Sequence, residues 1–76
     1  IKNVHFDFLK RLKEKYPTIS SRELDLSTYL LMNMSTKEIA EIMNISVGGV
    51  ELARYRLRKK LELVKKENLI GYLLKI

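Results

Sequence analysis

The chain has 76 residues, 46% of them hydrophobic and 8% aromatic, with no cysteine and one histidine. That is material for one modest core and one domain, and it excludes a disulfide framework, a thiolate metal site and a zinc cage. Fifteen Lys and Arg against nine Asp and Glu leave a net charge of +6, and the longest apolar stretch, Leu69 to Leu74, is far below the roughly 20 residues of a bilayer span.

Three glycines and one proline are present. Alternating strand patterns are missing and apolar residues recur at three and four positions, so the chain reads as all-α with five helices. The first runs from about Asn3 to Tyr16, with Val4, Phe8, Leu9, Leu12 and Tyr16 on one stripe, and Pro17 stops it. Ser20-Ser21-Arg22-Glu23 is a capping box that opens the second helix, which carries Leu24, Leu26, Leu30 and Leu31. Asn33 closes it in a left-handed conformation. Ser35-Thr36-Lys37-Glu38 repeats the device and opens a short third helix with Ile39, Ala40, Ile42 and Met43, ended by Asn44. Ser46 caps a fourth helix running to about Leu61. After the basic Lys65-Lys66 linker, a last apolar segment spans about Glu67 to Lys75. Residues 1–17 are expected to form an extra helix or connector, and residues 18–76 the domain proper. The chain opens at Ile1 without a methionine or a leader pattern, which suggests a piece of something longer.

The charge is concentrated. Residues 54–66 hold Arg54, Arg56, Arg58, Lys59, Lys60, Lys65 and Lys66 against Glu62 alone, so this block carries the whole excess. Such a block suits a polyanion; its bland alternative is a solvated basic face. The segment from Thr36 to Tyr55 is two helices joined by the tight connection Asn44-Ile45-Ser46, the arrangement of a helix-turn-helix. Ala40 is small where the helices approach, and Ile39, Met43, Ile45 and Val50 can face one another.

Turned at about 100° per residue, the fourth helix gathers Val50, Leu57 and Leu61 on one narrow arc. The opposite arc carries Glu51, Leu52, Tyr55, Arg56 and Lys59. Leucine can meet a thymine methyl in the major groove, Glu51 can accept from cytosine N4, and the long cations, Lys59 among them, can reach phosphates. Gly48 and Gly49 either let backbone approach a duplex closely or form a loose entry turn, at roughly 1 kcal/mol each relative to alanine. Free NH groups after Ser35 and Ser46 are potential phosphate ligands.

The run Ser35-Thr36-Lys37-Glu38-Ile39-Ala40-Glu41, then Asn44-Ile45-Ser46, Val50 and Arg58-Lys59-Lys60-Leu61, resembles the LuxR-type DNA-binding domain of bacterial transcription regulators. Ile19-Ser20 and Arg22-Glu23 stand where that family opens with Leu-Thr and Arg-Glu, and the match covers about Ile19 to Ile76. More narrowly, Tyr16-Pro17 and the run from Ala53 to Leu61 look like the C-terminal domains of membrane-bound sensors with periplasmic propeller and triple-tyrosine modules.

The resemblance implies a four-helix domain, a helix-turn-helix bundle to which the first helix read here is an N-terminal extra. Its third helix enters the major groove and its last helix often makes a dimer contact. Carried over by position, Glu51, Leu52 and Tyr55 match base-facing sites, and Thr36, Lys37, Ser46, Gly49, Arg56 and Arg58 match backbone-contacting ones. Met34 stands where leucine is usual, Ala53 where many members have histidine, and Gly48 where a polar or basic residue is common. The expected role is the cytoplasmic output module of a signal-transduction regulator of the two-component kind. Its partners would be double-stranded DNA, a second copy of the chain and RNA polymerase, with no cofactor and no metal.

The remaining residues suggest no enzyme. His5 has only Asp7 near it in sequence, Ser20, Ser35 and Ser46 read as caps rather than nucleophiles, and Met32, Met34 and Met43 read as gap-filling core residues. Leu69, Ile70, Leu73 and Leu74 are expected to dimerise, with cover for the small core as the alternative. Lys10, Arg11, Lys13 and Lys15 line the wet side of the first helix. A promoter-recognising sigma-factor region and a helical protein-interaction module are the alternative functions, and peripheral membrane attachment fits poorly, because the apolar arc of the basic helix is needed inside.

Overall fold

A computed structural model describes residues 4–64 and 66–76, with side chains from Asp7 onward. The described residues form five helices: α1 (Val4–Lys15), α2 (Ser21–Leu31), α3 (Thr36–Met43), α4 (Val47–Lys60) and α5 (Leu69–Leu74). None is long and apolar enough to cross a membrane. The expected all-α bundle is the observed one, with boundaries within two residues of those read from the periodicity. The side chains of Val4 and His5, and residue Lys65, lie outside the described residues.

The four helices α2 to α5 each start for a local chemical reason. Ser20 and Ser35 both form the full capping box: each hydroxyl accepts from the backbone NH three residues on, and Glu23 or Glu38 accepts from the cap's own NH at 2.8 Å. Two otherwise orphaned donors are satisfied at each start. Ser46 Oγ accepts from Gly49 N at 3.0 Å, and Asn68 Oδ1 accepts from Gly71 N at 2.7 Å. The Asn68 cap was not evident from the sequence.

Three helices end in the same left-handed turn. At the end of α2, Met34 N donates to Tyr29 O and Asn33 N to Leu30 O; at the end of α3, Ile45 N donates to Ala40 O and Asn44 N to Glu41 O. At the end of α4, Leu63 N donates to Arg58 O and Glu62 N to Lys59 O. These paired bonds satisfy carbonyls that the helix leaves open. The pivots are Asn33, Asn44 and Glu62, at φ 59, 58 and 58°. Asparagine tolerates this region, whereas glutamate adopts it at a cost of about 1 kcal/mol.

The core is one contiguous cluster built around α2, which packs against α1, α4 and α5, while α3 packs on α4. Leu26 and Leu30 from α2 meet Phe8 and Leu12 from α1, Ile39 and Ala40 from α3, Val50 and Leu57 from α4, and Leu69 and Leu73 from α5. Ala40 is buried, as the close α3–α4 approach requires. Ser27 is fully buried, and its hydroxyl donates to Glu23 O at 2.9 Å, so its burial leaves no orphaned polar group.

Met32 is 54% exposed rather than a core filler, because it is the C-cap of α2, where the chain reverses away from the buried stripe; Met34 and Met43 do pack on the core. Leu69 and Leu73 are 3% and 0% exposed, so they belong to the monomer's own interior and present no surface to a partner. Replacing Glu62 by glycine should relieve the left-handed penalty and raise stability by about 0.5–1 kcal/mol, read as a shift of the urea midpoint at unchanged slope. No shift, or a loss, would show that the Glu62 turn is unstrained.

Candidate nucleic-acid interface

The turn Asn44-Ile45-Ser46 sets the relation between α3 and α4. The left-handed Asn44 reverses the chain, Ile45 packs on the core, and Ser46 starts α4 immediately. With Val50, Leu57 and Leu61 at 0%, 0% and 3% exposure, the inward arc of α4 is anchored at three levels. Glu51, Leu52, Tyr55, Arg56 and Lys59 are therefore all turned to solvent. Leu52 and Tyr55 are 47% and 57% exposed, two large apolar surfaces on a basic helix. Lys59 Nζ stands 5.4 Å from the Tyr55 ring centroid, one turn away, a cation–π pair that restrains both side chains.

Two concavities flank this ridge. One, of about 510 Å³, lies between α2 and α4; Arg22, Glu23, Arg56 and Lys60 rim it and Leu26 and Leu52 contribute apolar lining. The other, of about 280 Å³, is lined by Thr36, Glu51, Arg54, Tyr55 and Arg58. The start of α3 thus stands beside α4, and the NH groups of Thr36 and Lys37 fall outside the helix's own ladder. Gly49 is confined: an added Cβ would sit 3.3 Å from Ser46 Oγ and 3.5 Å from Ile45 Cβ. Gly48 is different, because an added Cβ would meet only Ser46 Oγ, at 3.9 Å.

The basic block is not uniform. Lys60 Nζ pairs with Glu23 Oε1 at 3.0 Å and also donates to Thr18 O at 3.2 Å. Arg58 donates to Glu67 O at 2.7 Å and Val64 O at 2.8 Å, tying the 61–68 connection to α4. Both cations thus serve the fold, and Arg58, expected at a phosphate, is half-buried in this internal task. Among the described residues, no hydrogen bond or ion pair engages Arg54 or Arg56. Arg54 and Val47, which is 47% exposed at the start of α4, border the ridge but were not singled out from the sequence. Arg54 had a visible signal in its place inside the basic block, whereas Val47 had none.

Away from the ridge, the hydroxyls of Tyr16 and Tyr72 are hydrogen-bonded to each other, and Lys15 Nζ lies 5.4 Å from the Tyr72 ring centroid. Burial, reinforced by that hydrogen bond, pushes the Tyr16 phenol up to about 12. Partial burial raises the Glu23 carboxyl, but the Ser20 NH and Lys60 outweigh it and hold the group below its ordinary value. Glu38 is lowered by the Ser35 NH.

A bundle with this tight α3–α4 turn and an outward-facing, basic second helix is a helix-turn-helix domain. A family model of bacterial regulatory proteins, luxR family, matches residues 17–73. The chain belongs to that family, whose members are helix-turn-helix DNA-binding regulators rather than a class of enzymes. No curated protein and no solved structure is detectably similar to it.

Because the folded Glu23 and Glu38 carboxyls lie below the ordinary value of 4.5, their stabilisation is complete above that value and disappears as pH falls through the folded values. Glu23→Gln should flatten this acid limb of the melting temperature against pH; an unaltered limb would detach Glu23 from it. Gly48→Ala, in open space, should stabilise α4 by up to about 1 kcal/mol in thermal melts. If Gly48 serves close backbone approach to a duplex, that more stable variant will bind DNA more weakly; unchanged binding would leave Gly48 a simple entry turn.

Proposed function

We propose that the chain is the sequence-specific DNA-binding output module of a larger bacterial transcription regulator acting in the cytoplasm, with α4 lying in the major groove. The observation that carries this reading is the outward face of α4. Leu52 and Tyr55 stand half-exposed among cations while the opposite arc of the same helix is sealed in the core. In water that face is costly, whereas against a duplex it has complementary chemistry. Glu51, Leu52 and Tyr55 read base edges; Arg56 and Lys59, with Thr36, Lys37, Ser46 and Gly49 at the two helix starts, hold phosphates. Arg58 contributes its charge from a position fixed by the 61–68 connection.

The module works as a dimer. Of the four α5 residues considered for that contact, Leu74, at 70% exposure, and half-buried Ile70 retain surface to offer. RNA polymerase and an upstream membrane-anchored sensor are partners consistent with the resemblance.

Selection of bound duplexes from a random pool tests the reading. Leu52→Ala should change which sequence is preferred, whereas Arg56→Ala should weaken binding to every sequence alike. An unchanged preference profile for Leu52→Ala, at retained affinity, would remove Leu52 from base reading. A titration with no duplex binding at low salt would replace the whole reading by that of a helical protein-interaction module.

A further inference from the structure

We propose that α4 is held in the groove between two phosphate seats, one for each DNA strand, and that Arg22 of α2 and Arg54 of α4 are the gripping cations that complete them. The proposal rests on the DNA-binding reading above and extends it to α2, which is outside the helix-turn-helix itself. The first step is a matter of dimensions. An α-helix with its side chains is about 10–12 Å across, and the major groove is about 12 Å wide. A helix lying there fills the groove, so the protein surfaces to either side of it face the two sugar-phosphate walls.

Those two surfaces are the concavities flanking the ridge. On the α2 side, Glu23 and Lys60 are paired with each other at 3.0 Å, so their charges cancel. What remains is Arg22 across from Arg56, both exposed, with no hydrogen bond or ion pair among the described residues. On the α3 side, the Arg58 guanidinium is tied to the Val64 and Glu67 carbonyls, which leaves Arg54 as the cation able to extend, next to Thr36 at the start of α3. Each wall thus has one cation committed to the fold, with Arg22 and Arg56 left for an anion on the α2 side and Arg54 on the α3 side. Glu51 lines the α3-side concavity as well. It weakens that seat for a loose anion and favours a strand already positioned by α4.

The test is a salt series with a mixed-sequence DNA duplex, using the whole chain and its Arg22→Ala, Arg54→Ala and doubly substituted forms. Each single substitution should lower the slope of log affinity against log salt by about 0.9, and the double substitution by about twice that, because the two seats contact different strands. Melting temperatures should hold, since neither side chain has a hydrogen-bond or ion-pair partner among the described residues; Arg54→Gln covers the case in which truncating half-buried Arg54 disturbs folding. Lysine at either position should restore the slope, and Lys10→Ala, on the exposed face of α1, should leave it unchanged. If the wild-type chain binds but one or both arginine variants keep the full slope, the two-seat arrangement is overturned while DNA binding stands. If Lys10→Ala lowers the slope equally, the effect is one of net charge and the seats are likewise overturned. If the wild-type chain binds no duplex at low salt, both readings fall together.

Discussion

The inward anchoring of α4 is the constraint on which the rest depends. Val50, Leu57 and Leu61 occupy one narrow arc and are sealed against side chains from the other helices. Burying side chains of this size contributes about 1.5–3 kcal/mol apiece, an upper estimate given that unfolded chains already bury some surface. That energy fixes the rotation of α4 about its own axis. A rotation of about 100°, the step of one residue, would bring charged neighbours into a dry core, at a cost far above what the helix gains by packing. The outward set is therefore decided by the inward one, and the chemistry displayed to a partner follows from packing on the opposite side.

The same logic divides the basic block. Seven cations in 13 residues look interchangeable in a sequence, but the fold sorts them. Lys60 closes onto Glu23 and Thr18 O, which joins the far end of α4 to the start of α2. Arg58 clasps two carbonyls of the connection to α5, and its planar fork suits that double acceptance better than lysine's point charge would. Arg54, Arg56 and Lys59 stay on or beside the ridge. A count of positive charge consequently overstates the interface, and the electrostatic grip depends on which cations the fold has not already engaged.

Much of this was legible because its causes are local. The Ser20 and Ser35 capping boxes, the Ser46 cap and the left-handed Asn33 and Asn44 are settled by residues within five positions of each other, so their short sequence patterns located them. The inward arc of α4 was also readable, since three apolar residues at helical spacing suffice to define it. What escaped depends on distant partners or on strain. Glu62 in a left-handed turn contradicts its own preference and follows from how α4 must end before the connection to α5. The clasp of Arg58 involves carbonyls six and nine residues away across an irregular segment. Met32 read as a gap-filling core residue, yet it caps a helix at a point where the chain has already begun to turn outward.

The division of labour within α5 decides which of its side chains stay at the surface. The helix has six residues, too few to hold itself together in water, so it exists because Leu69 and Leu73 are locked into the core and Asn68 caps its start. On the same side of the molecule, Tyr72 is joined to Tyr16, and Arg11 Nε donates to Ile76 O at 2.7 Å, binding α1 to α5. The outer surface of α5, with Leu74 at its most exposed point, is thus a platform whose orientation is set by α1 and α2. A second copy docking there would bind only the folded platform and would stabilise the monomer fold by mass action. Displacement of α1 would loosen the platform and weaken that association. In such a molecule the extra helix is an integral support of α5, and any association through α5 would depend on the packing that builds it.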